Sequence, residues 1–572
     1  MANNGDTQRE FKVGTEKIRG LGSFHKTLRH NSYGEVNPND FKKLVAATEG
    51  DGSGFADVPK GRPDAAALTN PQAGLAHDQL TRHPAAYSMP PAPTVLSISA
   101  AAEMTELYWM ALLRDVPFDQ FASHPDLATA AGEIQARFHQ GIADTSDAGR
   151  LMPGIDVPGA AGSLPTITRQ NVFRMGLPGE EFGPLVSQFF LRDIQFGTQT
   201  IDQRERPYKK QRDYLTRFNA WLVAQRSGLD SAGQAYPKAN EDSAANFETK
   251  SRYISTMRDL ARFVNKDALH QAYFNATLLM LTGGARWTWG NPYSDVGPLR
   301  FREAGFGVLG GPHILALVSE VATRALKIVW NQKWQVHLRL RPEAYGGLVH
   351  VQNIGIGAGD KRPYGLPAWV ANTQAAQRIK ARPDKTLLLP MAFTPGSPTH
   401  PAYGAGHATV AGACVTVLKA YFQTFTTDKG VDHPIPFLSL SERSEPYGPG
   451  QPITPYVTGV DGSDEGTRTP LPTAEAKQLT LEGELNKLAS NVATGRGMGG
   501  VHWRTDNTRS LVLGEAIAAQ ILADITTDVN ERPSFEFRTF SRRADGKPKK
   551  VVIKQGRIFV DGTLVDTNSS AL

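Results

Sequence analysis

Three short stretches of the chain carry residues whose types and spacing suit chemistry on an oxyanion. The first is Lys333-Trp-Gln-Val-His-Leu-Arg-Leu-Arg341-Pro342. Lys333 ends an apolar run at helical spacing (Ile314, Leu317, Val318, Val321, Ala325, Ile328, Val329). Pro342 stops a helix and keeps Arg341 out of the helical region. Two cations eight residues apart can then converge from a helix end and the loop after it. The second stretch is Ser397-Pro-Thr-His400-Pro-Ala-Tyr-Gly-Ala405-Gly406-His407, which runs into an amphipathic helix marked by Val410, Cys414, Val417 and Tyr421. Gly406 and His407 fall at its N-terminus, where free backbone N–H groups and the positive dipole end attract an anion. A histidine there can act as acid or base near neutral pH, and His400 lies in the same loop. Cys414 falls on the apolar stripe and reads as a core residue. The third stretch is Gly495-Arg496-Gly-Met-Gly-Gly-Val-His502-Trp-Arg-Thr-Asp506, after a helix with Leu481, Leu485, Leu488, Ala489 and Val492. Its glycines let the backbone approach a ligand, and Arg496 offers a planar fork of donors. His502 can give a ring nitrogen to an electrophilic centre while Asp506 holds the other. Each stretch alone is ordinary. Together they supply three fixed cations, a helix start and two or three histidines, a cradle for a tetrahedral or trigonal-bipyramidal oxyanion. Charge-assisted hydrogen bonds of about 1.5–3 kcal/mol each make such a cradle tight.

Positioning them calls for a large folded body. The chain has 572 residues, 40% hydrophobic and 21% charged, which excludes disorder. A net charge of +6 over this length gives no case for a nucleic-acid partner. The single cysteine excludes an internal disulfide framework and cysteine-rich metal sites. No long uncharged apolar stretch predicts a membrane span, and the first residues lack the apolar region of a secretory signal, so the cytoplasm is the default location. Residues 1–93, rich in Gly, Pro, Asn and Asp, read as an extended arm with short helices that packs on something larger, such as another subunit. Residues 94–530 read as an all-α body. Helices are predicted over Ile98–Leu113, Tyr214–Gln225, Leu269–Leu281, His313–Asn331, His407–Gln423, Thr480–Ala493 and Thr508–Ala523, separated by long loops at 339–386 and 424–473. The tail, 531–572, reads as a small β-hairpin, with turns at Gln555-Gly556 and Asp561-Gly562.

The set Lys–x7–Arg-Pro, (Ser/Ala)-Gly-His, Gly-Arg–x5–His–x3–Asp resembles the superfamily of vanadium haloperoxidases and type-2 phosphatidic-acid/acid phosphatases. Within it, SPTHPAYGAGHATVAGACVTVLKA (397–420), KWQVH (333–337), GELNKLA (483–489) and ELYWMALLRDVPF (106–118) are similar to the vanadium-dependent bromoperoxidases of red algae and cyanobacteria. The similarity runs from about residue 94 to 540. It implies two four-helix bundles in one helical body, a vanadate (V(V)) cofactor, and a homo-oligomer built from dimers, up to a dodecamer. It also implies a structural calcium ion in some relatives, whose ligands have no assignment in this sequence. His502 would bind vanadium. Lys333, Arg341 and Arg496 would neutralise the equatorial oxygens, and the Gly406 N–H would bind another. His407 would be the acid/base, tuned by His400. The implied activity is oxidation of bromide by hydrogen peroxide to hypobromous acid, which halogenates small organic acceptors, with the halide range left open. Two positions depart from the pattern: Ala405 stands where the family usually has Ser, and Gln332 where red-algal relatives have Arg. The same residue set also permits a vanadate-inhibited acid phosphatase, with His502 attacking phosphorus and His407 protonating the leaving group. A non-catalytic helical oligomer that only binds phosphate is the third reading.

Overall fold

The computed structural model describes residues 3–565 apart from 77, 79–81, 236–239, 242, 358–359 and 443–449. In chain order its helices are α1 (Pro38–Glu49), α2 (Ile98–Leu113), α3 (Pro125–Ala143), α4 (Phe218–Ser227), α5 (Met257–Lys266), α6 (Gln271–Thr282), α7 (Gly311–Asn331), α8 (Pro342–Asn353), α9 (Gln374–Lys380), α10 (Gly406–Tyr421), α11 (Thr473–Ala476), α12 (Leu481–Met498) and α13 (Arg504–Asp528). The centre is α10, buried along nearly its whole length and packed on α7, α12 and α13. Side-chain caps fix several starts: Ser97 accepts from the Ala100 N–H and Thr480 from the Gly483 N–H, each at 3.0 Å. By length and composition α13 is apolar enough to cross a membrane, but 72% of its apolar window is buried inside the protein, mainly against α10.

The seven predicted helices are present. The fold departs from an all-α expectation in two ways. The tail is a four-stranded antiparallel sheet (Ser534–Arg542, Pro548–Lys554, Arg557–Val560, Thr563–Leu564) rather than one hairpin. Its predicted turns are there, with positive φ at both Gln555-Gly556 and Asp561-Gly562. The 424–473 loop also folds into short antiparallel pairs, Phe425–Asp428 with Val431–Pro434 and Tyr456–Val460 with Gly466–Pro470. Part of that loop, 443–449, lies outside the described residues. The fold is therefore mainly helical with several small sheets.

The 339–386 loop is corrected as well, since it contains α8 and α9. Pro342 does not close the preceding helix; it opens α8 at the first position, where its missing N–H costs nothing. Arg341 is the extended residue just before it (φ −77°, ψ 149°). The Gly-rich run at 495 is likewise helical: Gly495, Arg496 and Gly497 form the last turn of α12. A Cβ at Gly495 would stand 3.1 Å from Val264 on α5, so glycine here permits close helix packing.

The first 93 residues pack on the body of their own chain. Leu21, Phe24, Leu28, Phe41 and Leu44 are buried. The Phe24 N–H donates to the Leu338 carbonyl at 2.7 Å, and Ser23 bridges to Arg339. The arm thereby lies along the segment that carries Arg341.

Candidate active site

The site is built from four segments. At the end of α7 the helix widens into a π-turn, Gln332–His337, closed by Leu338 in the left-handed region (φ 45°). Such turns re-aim side chains, and this one turns Lys333 fully inward. Its ammonium donates to the Pro401 and Ala402 carbonyls at 2.9 and 3.1 Å and lies 5.4 Å from the Trp330 ring. Among the described residues no carboxylate lies within ion-pair distance of it. Desolvation, then the charge of Arg341, holds it well below the ordinary lysine range.

Arg341 is the hub. Its Nε donates to the His400 carbonyl at 2.9 Å and one terminal nitrogen to the Val501 carbonyl at 2.7 Å. The same nitrogen lies 3.0 Å from His502 Nε2, and the other lies 2.8 Å from His400 Nδ1. A guanidinium only donates, so both rings must present a lone pair to it. His502 Nδ1 lies 3.0 Å from Asp506 and therefore carries the proton. The neutral tautomer with its lone pair on Nε2 is fixed from both sides. Asp506 is itself braced by the Trp503 N–H (2.9 Å) and by Arg339 (2.6 Å), whose other end pairs with Glu103 (2.8 Å). Desolvation, then Arg341, Lys333 and Arg496, pushes the His502 ring well below the usual imidazole range. The same causes, desolvation first, act on His400, whose ring rests on Trp330 at 4.9 Å.

Arg496 donates to the Val264 carbonyl near the end of α5 (2.7 Å) and stacks over Phe393. Three residues on, Asp267 lies 3.0 Å from His407 Nε2. His407 is the most open of the site histidines, with its side chain 23% exposed. Asp267 lines a cleft of about 320 Å³ with Phe190, Glu205, Arg262 and Phe263. Gly406 begins α10 beneath Trp330: a Cβ there would meet that ring at 3.0 Å. Cys414 is a buried core residue, as expected.

The sequence-predicted residues Lys333, Arg341, His400 and His502 thus form one buried knot. The charges of Lys333 and Arg496 both act on the His502 ring, and His407 sits at the edge toward the cleft. Four partners had no motif to reveal them: Asp267, Trp330, Arg339 and Glu103. Only Glu103 had a signal, as an acid inside the apolar run of α2, where an unpaired charge is costly. For the expected calcium ion, the described residues hold no group of three or more His, Cys, Asp or Glu able to bind a metal.

Ala405 occupies the N-cap position of α10 in extended geometry (φ −79°, ψ 122°), with no side-chain cap. Ala405→Ser should supply an acceptor for the first amides and stabilise the apo-protein by about 1 kcal/mol. Denaturant unfolding reads this out, and an unchanged midpoint would count against it.

Burial also makes an acid-stability prediction. Desolvation first pushes His25 and His350 to about 4 and His337 to about 3. These rings are neutral when folded but titrate near 6.5 when unfolded. Below about pH 6.5 the unfolded chain binds protons that the folded chain refuses. Stability is therefore complete above that pH and falls as pH drops toward the folded values, by up to about 1.4 kcal/mol per pH unit per ring. The apo-protein's thermal midpoint should drop steeply between about pH 6.5 and pH 4; a flat profile there would refute this.

A mainly helical body with buried cations around a carboxylate-braced histidine defines an oxyanion-binding enzyme class. Residues 313–531 match the family described as VCPO second helical-bundle domain. The chain is 33% identical to the vanadium-dependent bromoperoxidase of Corallina pilulifera, covering 91% of this chain and 90% of that one. It is 32% identical to the enzyme of the same description from Ascophyllum nodosum, covering 98% and 88%. Its structure resembles the homohexameric second vanadate-dependent bromoperoxidase of Ascophyllum nodosum, with a TM-score of 0.74 at 29% identity, covering 100% of this chain and 89% of that one. The chain belongs to the vanadium-dependent bromoperoxidase family.

Proposed function

We propose that the protein oxidises bromide with hydrogen peroxide, using vanadate held in the knot around Arg341, and releases hypobromous acid to halogenate small organic acceptors. The observation that carries this is the fixed His502 tautomer: Asp506 on Nδ1 and Arg341 facing Nε2 leave a lone pair aimed among cations. The donor set fits vanadate. Lys333 is a buried cation whose charge only carbonyl dipoles meet, and a bound oxyanion would compensate it. Bound there, vanadate would supply a Lewis acid that activates peroxide without changing its own oxidation state.

In this reading His502 Nε2 holds the metal, while Lys333, Arg341, Arg496 and the Gly406 N–H hold oxyanion charge. Lys333 also polarises the peroxide. His407 takes and returns a proton, with Asp267 orienting its ring. His400 stays neutral, accepts from Arg341 and fixes that guanidinium. The scaffold is read as two four-helix bundles, the second being α7, α10, α12 and α13, which pack on one another. The assembly is read as a homo-oligomer, by analogy with the homohexameric relative.

The test is to load apo-protein with orthovanadate and measure peroxide-dependent bromination of a β-diketone beside hydrolysis of an aryl phosphate. Vanadate-dependent bromination is expected. Phosphate release blocked by vanadate, without bromination, would move the assignment to a phosphatase acting through a phosphohistidine at His502.

A further inference from the structure

We propose that Lys26, carried in by the N-terminal arm, keeps the anion pocket positive by neutralising Glu343. The inference rests on the oxyanion-binding reading above. Glu343 stands in the first turn of α8, two residues after Arg341, and is almost wholly buried. Its carboxylate accepts from Lys26 Nζ (2.6 Å) and Gln225 Nε2 (3.2 Å) on one oxygen and from the Ser397 N–H (2.6 Å) on the other. Lys26 is equally buried and spends its remaining protons on the Pro395 and Ser397 carbonyls, at 2.8 and 2.7 Å. From there the chain runs to His400, Pro401 and Ala402, whose carbonyls hold Arg341 and Lys333.

The electrostatic consequence is direct. In a water-excluded interior a lone carboxylate this near Arg341 would compete with any bound oxyanion for the guanidinium. With Lys26 present the pair is neutral, and the charge of Arg341 remains for the ligand. The arm is thereby part of the active site, although none of its residues belongs to the three motifs. Lys26 is a positioning and charge-balancing residue, not a catalytic one.

The variants are Lys26→Met, Glu343→Gln and the double substitution in the full chain. Orthovanadate binding is measured by equilibrium dialysis with vanadium analysis, inorganic phosphate serves as the competing anion, and circular dichroism checks the fold. Lys26→Met, which strands Glu343, should bind orthovanadate at least about tenfold more weakly. Glu343→Gln should bind at least as tightly as the parent, and the double variant should return to within about threefold of it. A folded Lys26→Met with parental affinity would overturn the proposal. A double variant as weak as Lys26→Met would do the same, since Lys26 would then act only through its carbonyl bonds. If Lys26→Met does not fold, the double variant decides: within about threefold of the parent supports the proposal, and about tenfold weaker overturns it. A parent that binds neither orthovanadate nor phosphate would defeat the pocket reading itself, and this proposal with it.

Discussion

His502→Ala should abolish vanadate retention and bromination while leaving the helical body folded. The ring supplies the one lone pair that Asp506 and Arg341 fix among the buried cations. Its loss removes the metal–nitrogen bond but not the charges of Lys333 and Arg341, so weak, rapidly exchanging oxyanion binding should survive. The start of α13 should survive too, because Asp506 still accepts from the Trp503 N–H and still pairs with Arg339. Vanadium content after exhaustive dialysis, beside circular dichroism, checks both halves. Equal vanadium in mutant and parent would sink the assignment. Asp506→Asn should give a milder version, weakening vanadate binding by about 10–100-fold, because the amide no longer enforces the Nδ1–H tautomer.

The site was legible in the sequence wherever its parts were local. Lys333 with Arg341, Gly406 with His407, and Arg496 with His502 and Asp506 each sit within about one motif length, and each type announces its chemistry. What joins the motifs was not legible. Asp267 meets His407 across 140 residues and Arg339 meets Glu103 across 236, and neither pairing leaves a local trace.

The same division applies to the helices. Those with one apolar stripe, such as α2, α7 and α13, were predicted close to their observed bounds. α8 was missed because it is buried on nearly every side, which erases the stripe. Its glycines mark close packing, with a Cβ at Gly347 meeting Trp221 at 2.0 Å. α5 was missed because its inward face carries charge: Arg258 pairs with Asp115 and Asp213, and Asp259 with Arg252. Polar residues satisfied by distant partners mimic a solvent face when read in one dimension.

His407→Ala should part binding from turnover. The Asp267–His407 pair lies beside the knot that holds the oxyanion: Asp267 caps the end of α5, three residues beyond the carbonyl that receives Arg496. Asp267 keeps the proton on Nε2, which leaves Nδ1 as the base. Deleting the ring should therefore spare most vanadate binding, since Lys333, Arg341 and His502 are untouched, yet remove the group that moves the proton. General acid–base catalysis contributes about 10²–10⁴-fold, and a loss of that size in bromination rate is expected at matched vanadium content. Asp267→Asn keeps the shape but withdraws the charge that orients the ring, and should fall between the two, about 10–100-fold down. Steady-state bromination normalised to bound vanadium makes the comparison. Parental rates in His407→Ala would assign the proton step to another group, with Glu205, in the same cleft as Asp267, the next residue to substitute.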